Sequence, residues 1–393
     1  MSQKQDKFAM SEEMNSRSIV IGERLKKARE ALGYTQEKVA EKLNIGRPRY
    51  SDIENGKRDI PLKELYSFCE FFGRPLEYFL KEKLAVDSGF KVLFRKTEGD
   101  QEVAKVITEF ETLCEKMYTL EEIADIKIRP SISKDYAYEK DRLLFWGKFY
   151  AKQERQRLNL GQASIRNLDQ ILEEKCALKI FYLPIPAERG IFGMFTYDEE
   201  MGGCVLINTN ANFGKQLFSL AHEYAHFIFH KERLGIVSSE KEKDTSDESL
   251  ADNFAGDFLM PEESVNDIFN IRIKNRKDLT AEDTIYFAEY FGVSFQAMVY
   301  RLNNLKLLSN DMKEKLISET WVNTVRRSMG ISEPESRPKF PSLYFHLCLK
   351  AYQQNKITTS KLAEFLELPL YQAMELGRKI KRSVQDDECL DNF

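Results

Sequence analysis

Residues 221–226 read AHEYAH and place two of the chain's four histidines four positions apart, with a glutamate between them. Positions i and i+4 lie on one face of an α-helix, so His222 and His226 can reach a single cation from there. Glu223 projects beside them, toward a water on that cation. The stretch therefore predicts a helix that holds zinc for catalysis. The alternatives are zinc bound as a sensor or structural clamp, and a pair of buried histidines without metal.

A third ligand is needed, because a catalytic zinc usually takes three protein ligands and keeps a fourth position open. The segment ESLAD begins 22 residues after His226 and offers two carboxylates on one face of the next predicted helix. We expect Glu248 to be the third ligand. Asp252 is expected to accept the second ring N–H of one histidine, which would fix the tautomer of that histidine.

HExxH followed by ExxxD on a second helix resembles the gluzincin arrangement. More specifically, KQLFSLAHEYAHFIFH and ESLADNFAGDFLMP resemble the ImmA/IrrE family of metallopeptidases over roughly 140–270. Ala225, Ser219 and Asp252 stand where that family commonly has Gly, Thr and Asn, and none of these departures removes a ligand or the base. The resemblance implies a Zn²⁺-dependent endopeptidase in which Glu223 takes the proton of zinc-bound water and passes it to the leaving amine.

Two further features bear on peptide hydrolysis. The strand-like stretch GGCVLIN (202–208) is interpreted as an edge strand that holds an extended substrate by main-chain hydrogen bonds. Tyr197 and His230 are candidates for stabilising the oxyanion, and His230 is equally a candidate for packing against or capping the end of its helix.

The segment TQEKVAEKLNIGRPRYSDIENGKR (35–58) has the pattern of a helix-turn-helix and resembles the phage Cro/repressor-like (XRE) family over about 21–80. Residues 42–58 carry five basic and two acidic side chains, a local charge of +3. The alternative is a helical hairpin that serves as a scaffold. A recognition helix places its N-terminal end in the major groove. We therefore expect Arg47, Arg49 and Ser51 near base edges, and Gln36, Asn55, Lys57 and Arg58 near phosphates.

Overall composition sets limits on partners and location. Net charge is −4, from 59 basic and 63 acidic residues, so affinity for nucleic acid must come from a local patch. The six cysteines show no CxxC pairing, which favours reduced thiols. No apolar run approaches the roughly 20 residues of a membrane span, and the polar start lacks the apolar region of a signal peptide. We expect a cytoplasmic protein without a membrane partner.

The predicted fold class is mainly α with an α+β domain. We expect an N-terminal five-helix helix-turn-helix domain, a central gluzincin-like α+β metallopeptidase domain with a small sheet, and a C-terminal helical region. Two C-terminal segments, 288–302 and 360–376, echo the helix-turn-helix spacing without a basic cluster and are interpreted as packing helices. The predicted boundaries are 1–17 for a disordered tail, 18–84 for the DNA-binding domain, 85–138 for a connector or dimerisation region, 139–270 for the peptidase domain, 271–382 for the helical region and 383–393 for an acidic, mobile tail.

The combination of the two domains resembles bacterial and phage regulators. It implies a DNA-binding transcriptional regulator, a homodimer on a double-stranded operator. Its peptidase would cleave a repressor- or antitoxin-like protein encoded nearby, or the chain itself. Two alternatives remain: a repressor or antitoxin whose zinc domain is a non-catalytic sensor or scaffold, and a peptidase without a DNA function.

Overall fold

The structure is a computed structural model, and it describes residues 2–74, 76–80, 89–126, 136–199, 201–240, 245–273, 279–318, 322–328 and 337–390. The chain forms two compact units, Met1–Leu113 and Cys114–Phe393. The described residues form nineteen α-helices and one four-stranded sheet, which confirms the predicted mainly α class with an α+β domain. Among these helices, none combines the length and apolar character that crossing a bilayer requires.

The first unit is helical. Its elements are α1 (Ser2–Ala31), α2 (Gln36–Lys42), α3 (Arg47–Glu54), α4 (Leu62–Phe72), α5 (Leu76–Leu80), α6 (Gly89–Lys96) and the first part of α7 (Gln101–Ala124). The first 17 residues were expected to be a disordered tail, but they belong to α1 from Ser2 onward. The sequence has no proline and no glycine before Gly22, so no helix-breaking residue interrupts α1 between Ser2 and Gly22.

The core of the helix-turn-helix lies where α1, α3 and α4 meet, and Leu25, Tyr50 and Phe68 are fully buried in it. Gly22 of α1 allows the close approach of α3, because a Cβ atom at this position would lie 2.5 Å from the carbonyl oxygen of Ile53. Val39 and Ala40 of α2 are buried as well, with exposures of 0% and 2%.

The sheet of the second unit has the order β1-β3-β2-β4. β1 (Lys179–Leu183) is parallel to β3 (Gly202–Asn208), whereas β2 (Ile191–Asp198) is antiparallel to β3 and to β4 (Gly235–Ser239). The prediction that 202–208 forms an edge strand is wrong, because this strand is β3 and has a neighbour on each side. In the described sheet, β1 and β4 are the strands with a single hydrogen-bonded neighbour.

The remaining elements of the second unit are helices. α10 (Phe213–Phe229) packs on β2 and β3, and α8 (Leu143–Arg157) packs on α11 (Ser246–Leu259). The predicted acidic, mobile tail is part of the last helix as far as Leu390, and residues 391–393 lie outside the described residues. The helices are α8 (Leu143–Arg157), α9 (Leu168–Cys176), α10 (Phe213–Phe229), α11 (Ser246–Leu259), α12 (Glu262–Ile273), α13 (Ala281–Phe291), α14 (Phe295–Asn304), α15 (Asn310–Ser318), α16 (Val322–Ser328), α17 (Ser342–Gln353), α18 (Thr359–Leu366) and α19 (Leu370–Leu390).

The two C-terminal segments that echo the helix-turn-helix spacing differ in their surroundings. Met298 and Val299 of α14 are fully buried in the same apolar core as the sheet, which agrees with the packing interpretation. In contrast, Leu370, Tyr371 and Met374 on the first turns of α19 are 52%, 67% and 46% exposed. The packing interpretation therefore does not describe the exposed face of α19.

Candidate metal centre and nucleic-acid interface

Helix α10 carries the HExxH motif and is anchored at its first turn by Asn212, whose side chain accepts a hydrogen bond from the backbone N–H of Lys215 at 2.9 Å. His222 is 7% exposed, and Glu223 and His226 are fully buried. The helix thus presents both imidazoles and the intervening carboxylate to the interior of the second unit.

Helix α11 supplies the third side chain of the centre. Thr245 caps this helix by accepting a hydrogen bond from the backbone N–H of Glu248 at 3.3 Å. α8 lies close against α11 because Gly147 has no side chain: a Cβ atom there would lie 2.7 Å from the Cβ of Asn253. The cap and this close packing together hold Glu248 opposite α10.

Three side chains of the two helices converge on one point. His222 Nε2 and His226 Nε2 are 3.0 Å apart. Glu248 Oε2 lies 3.0 Å from His222 Nε2, and Glu248 Oε1 lies 3.2 Å from His226 Nε2. Two imidazole nitrogens and a carboxylate in this arrangement can hold a metal ion.

Each histidine of the centre also has a contact on its outer nitrogen. Asp252 Oδ1 lies 2.8 Å from His222 Nδ1. His230 Nδ1 lies 2.9 Å from His226 Nδ1. His230 is the C-terminal capping residue of α10 and stands behind His226, so it does not face the substrate side as the oxyanion interpretation requires. Tyr197, the other oxyanion candidate, is not among the described residues that line the cleft at this centre.

Glu223 is held between α10 and the sheet. A Cβ atom at Gly193 of β2 would lie 2.4 Å from Glu223 Oε1, so the carboxylate occupies space that only glycine leaves free. Gly193 pairs with Ser238 of β4, beside an irregularity in the register of the two strands. Gly193 could not be identified from the sequence, because nothing in FGMFTY indicates which of its residues lies over Glu223.

The charges of the centre are set by burial and by hydrogen bonds. Burial alone would lower the pKa of His222, but hydrogen bonds to Asp252 and Glu248 raise it to about 10. Burial lowers the pKa of His226 to about 4. Burial would raise the pKa of Glu248, yet its hydrogen bonds with His222 and His226 hold that pKa well below the ordinary value. Glu248 is therefore anionic and His226 neutral, whereas His222 has to release a proton when it binds a metal ion.

A cleft of about 680 Å³ opens onto this centre. One side is formed by Ser238 and Ser239 of β4, and another by residues of α14 that include Gln296 and Tyr300. An edge strand thus borders the cleft, although it is β4 and not the predicted stretch 202–208.

Helix α14 is fastened to the metal-centre helix α11 by a buried ion pair. Arg301 Nη1 and Nη2 lie 2.9 and 2.6 Å from the two carboxylate oxygens of Asp257, and Arg301 Nε donates to the carbonyl of Met260 at 2.9 Å. Arg301 and Asp257 are 5% and 7% exposed. This pair, which sequence analysis did not find, makes α14 a fixed wall of the cleft.

In the first unit, the helix-turn-helix is tied together by one buried carboxylate. Glu54 at the end of α3 receives Arg29 Nε of α1 at 2.7 Å and Gln36 Nε2 of α2 at 2.7 Å. Asn44 takes the left-handed conformation, with φ of 53°, in the turn between α2 and α3. Gln36, expected near phosphates, has its amide nitrogen engaged with Glu54.

The other candidate DNA contacts fall into two groups. Arg47, Asn55, Lys57 and Arg58 are exposed. Ser51 and Arg49 are partly buried, and Arg49 Nη2 lies 2.7 Å from Glu64 Oε2 of α4. The side-chain nitrogen of Asn55 donates to the carbonyl of Ser51 at 2.7 Å. The side chains accessible to a nucleic acid are therefore Arg47, Lys57 and Arg58, which are exposed and take no part in the ion pair between Arg49 and Glu64.

The two parts of the chain define a protein that joins a helix-turn-helix to an α+β domain with a candidate metal centre. Residues 25–79 match the family model described as helix-turn-helix, and residues 173–303 match the model described as the IrrE N-terminal-like domain of peptidase family M78. The chain therefore belongs to the XRE-type helix-turn-helix regulators and carries an ImmA/IrrE-like metallopeptidase-family domain in the same polypeptide.

Three curated relatives, all from Bacillus subtilis (strain 168), are similar to the N-terminal part. The HTH-type transcriptional regulator ImmR is 40% identical over 60 residues, which is 15% of this chain and 47% of the relative. The SPbeta prophage-derived uncharacterized HTH-type transcriptional regulator YonR is 39% identical over 62 residues, 16% of this chain and 57% of the relative. The uncharacterized HTH-type transcriptional regulator YqaE is 37% identical over 78 residues, 19% of this chain and 67% of the relative. The chain thus spans about half the length of the first two relatives.

Proposed function

We propose that this protein is a DNA-binding transcriptional regulator whose second unit is an active zinc endopeptidase. The convergence of His222, His226 and Glu248 beside the buried carboxylate of Glu223, at the floor of an open cleft, is the observation that carries the proposal. The substrate is a repressor- or antitoxin-like protein, or the chain itself.

The donor atoms fit zinc in kind and in spacing. Zinc bonds of about 2.0–2.2 Å to nitrogen and oxygen in a tetrahedron separate the ligand atoms by about 3.3–3.5 Å. The two imidazole nitrogens are 3.0 Å apart, and they lie 3.0 and 3.2 Å from the two oxygens of Glu248, which is a few tenths of an ångström closer than in a zinc tetrahedron. Three protein ligands leave one position open, which is typical of catalytic rather than structural zinc. When bound, zinc supplies a Lewis acid for the peptide carbonyl and a means of activating water near neutral pH.

The protein side chains then have separate tasks. Glu223 is the general base, which accepts a proton from the attacking water and delivers it to the leaving amine. Asp252 accepts the Nδ1–H of His222, so that the Nε2 lone pair of this histidine faces the ion. Gly193 leaves the space in which the Glu223 carboxylate lies.

The sheet edge supports binding of an extended polypeptide. β4 has one hydrogen-bonded neighbour in the described sheet, β2, and its residues Ser238 and Ser239 line the cleft. An extended segment added beside such an edge is held by main-chain hydrogen bonds. A substrate segment that is already extended or locally unfolded fits this surface.

The first unit delivers the protein to an operator. The names of ImmR, YonR and YqaE describe HTH-type transcriptional regulators, and the basic residues Arg47, Lys57 and Arg58 are exposed on the corresponding helix-turn-helix here. Such domains bind two half-sites as dimers. We extend both properties, binding to double-stranded DNA and formation of a homodimer, to this chain.

The test uses purified full-length protein and the repressor- or antitoxin-like protein encoded beside its gene. Glu223→Gln keeps the zinc ligands, so we expect it to retain stoichiometric zinc and operator binding while cleavage, followed by mass spectrometry, is lost. Glu232→Gln, a change at an exposed residue outside the cleft, is the matched control and should cleave as wild type does. A wild type that carries zinc but cuts neither the partner nor itself would favour the sensor or scaffold function instead.

A further inference from the structure

We propose that His230, Tyr138 and Asp247 form a relay behind the metal centre that holds His226 in its metal-binding tautomer and thereby raises the affinity for zinc. The inference rests on the metal site of the proposed function and is independent of whether the protein cleaves anything. It assigns a positioning role to three residues that do not touch the ion.

The relay begins at the outer nitrogen of His226. His226 Nδ1 lies 2.9 Å from His230 Nδ1, and both side chains are buried, with exposures of 0% and 4%. One of two facing ring nitrogens must donate and the other must accept. Because Nε2 of His226 has to offer its lone pair to the ion, the proton of this ring lies on Nδ1, and His230 Nδ1 is the acceptor.

This assignment determines the next contact. His230 then carries its own proton on Nε2, which lies 3.0 Å from the hydroxyl oxygen of Tyr138. The Tyr138 hydroxyl donates in turn to Asp247 Oδ1 at 3.4 Å, and Arg233 Nη2 lies 2.5 Å from Asp247 Oδ2. Each imidazole then carries one proton, and every donor from His226 to Tyr138 faces an acceptor.

Two of the relay residues have fixed positions at the ends of α10 and α11. His230 is the capping residue of α10, and its backbone N–H donates to the carbonyl of His226 at 2.8 Å. Asp247 precedes the ligand Glu248 in the first turn of α11. The two helices therefore contribute an inner pair, His226 and Glu248, and an outer pair, His230 and Asp247.

The two histidine ligands are consequently supported in different ways. His222 is supported by the carboxylate of Asp252, which is 40% exposed in its side chain, whereas His226 is supported by a neutral imidazole in a buried position. Outer partners of this kind typically change metal affinity by about 10- to 100-fold when they are removed. Replacement of His230 by an apolar ring should have an effect of this size, because it would leave the buried Nδ1–H of His226 without its acceptor.

The test measures zinc affinity of the full-length protein by competition with a chelating indicator. We expect His230→Phe to weaken zinc binding by about 10- to 100-fold. His230→Asn, whose side-chain oxygen can replace Nδ1 as the acceptor, should restore affinity to within about threefold of wild type. His346→Phe changes an exposed histidine on α17 and should have no effect.

Histidine side-chain NMR of the zinc-loaded protein gives a readout that does not depend on affinity. The wild type should show His226 protonated on Nδ1, and His230→Asn should preserve this signature even if it is less stable. Wild-type zinc affinity in a folded His230→Phe variant, or a His226 protonated on Nε2, would overturn the relay. Failure of the metal site itself is a separate result, seen as undiminished zinc binding in His222→Ala.

Discussion

The backbone of Gly193 lies against the carboxylate of Glu223 so closely that a Cβ atom at residue 193 would be 2.4 Å from Glu223 Oε1. We therefore expect Gly193→Ala to push the carboxylate away from its position beside the metal ligands. A displacement of about 1 Å at a reacting group can cost about 100-fold in rate. Cleavage measured by mass spectrometry should fall by at least this factor, while zinc content stays stoichiometric.

Gly377→Ala is the matched control for this prediction. It produces an equally close contact, 2.4 Å to the hydroxyl oxygen of Tyr352, but on α19, at a residue that does not line the cleft. It should lower the melting temperature without a selective loss of cleavage. If both variants lose activity in proportion to their loss of stability, Gly193 has no special relationship with the base.

Removal of the metal should destabilise the second unit. A ligand that binds only the folded state adds about 2.7 kcal/mol to the free energy of unfolding at 100 times its Kd. We expect a chelator to lower the melting temperature of the wild type and to have almost no effect on Glu248→Gln, which lacks the anionic ligand. Glu314→Gln, at an exposed position of α15, should respond to the chelator as the wild type does.

Breaking the carboxylate junction of the helix-turn-helix should unfold this domain more readily. The side chain of Glu54 is 1% exposed and receives both Arg29 and Gln36. Removing one partner of a buried ion pair typically costs about 3–5 kcal/mol, because the other charge stays buried. Urea unfolding of Glu54→Gln should show a loss of this order. Glu64→Gln, which breaks the more exposed pair with Arg49, should cost less than about 1 kcal/mol.

The helix-borne part of the site could be predicted from the sequence, because a helix converts sequence spacing directly into direction. His222 and His226 at i and i+4 had to share a face, and the placement of Glu248 followed from the second motif. Gly193 and Arg301 could not be found in this way. Their roles depend on how a strand and a distant helix pack on α10 and α11. Such contacts between elements produce no periodic pattern in the sequence.

The wrong prediction that residues 202–208 form an edge strand also has an explanation in strand packing. Gly203 to Asn208 of β3 are all buried, since an interior strand is covered on both faces and paired on both sides. A strand with one solvated face alternates apolar and polar residues, and CVLI does not. The continuous apolar run indicated burial on both faces, but the edge strand β1 (KIFYL) is buried throughout as well, so the run could not distinguish an interior strand from an edge strand. The edge position of β4 is visible only once the strand order is known.

DNA binding should depend more on Arg47 than on Arg49. Arg47 is exposed at the start of α3, whereas Arg49 is held by Glu64 at 2.7 Å. We expect Arg47→Ala to weaken operator binding by about 1–3 kcal/mol and Lys57→Ala to reduce the slope of log K against log salt by about 1. Titrations of fluorescent operator DNA at several salt concentrations test both. A larger effect of Arg49→Ala than of Arg47→Ala would show that Arg49 leaves Glu64 to read the DNA.

The stability of the protein should depend on pH through Glu173, a buried carboxyl group that does not line the cleft. Glu173 of α9 is 3% exposed, and burial raises its pKa to about 8; a hydrogen bond from the backbone N–H of Leu343 opposes this rise, and nearby Asp169 and Glu174 add to it. The folded protein thus keeps a proton that the unfolded chain releases near pH 4.5. The stabilisation by protonated Glu173 is complete below pH 4.5 and is lost as the pH rises toward 8, at about 1.36 kcal/mol per pKa unit as an upper limit.

Glu173→Gln cannot ionise, so urea unfolding should show it to be more stable than wild type at pH 8.5, with the advantage shrinking toward pH 5. Glu174→Gln, at the exposed neighbour, should show a much smaller pH-dependent difference, and a constant offset for Glu173→Gln across this range would contradict the raised pKa.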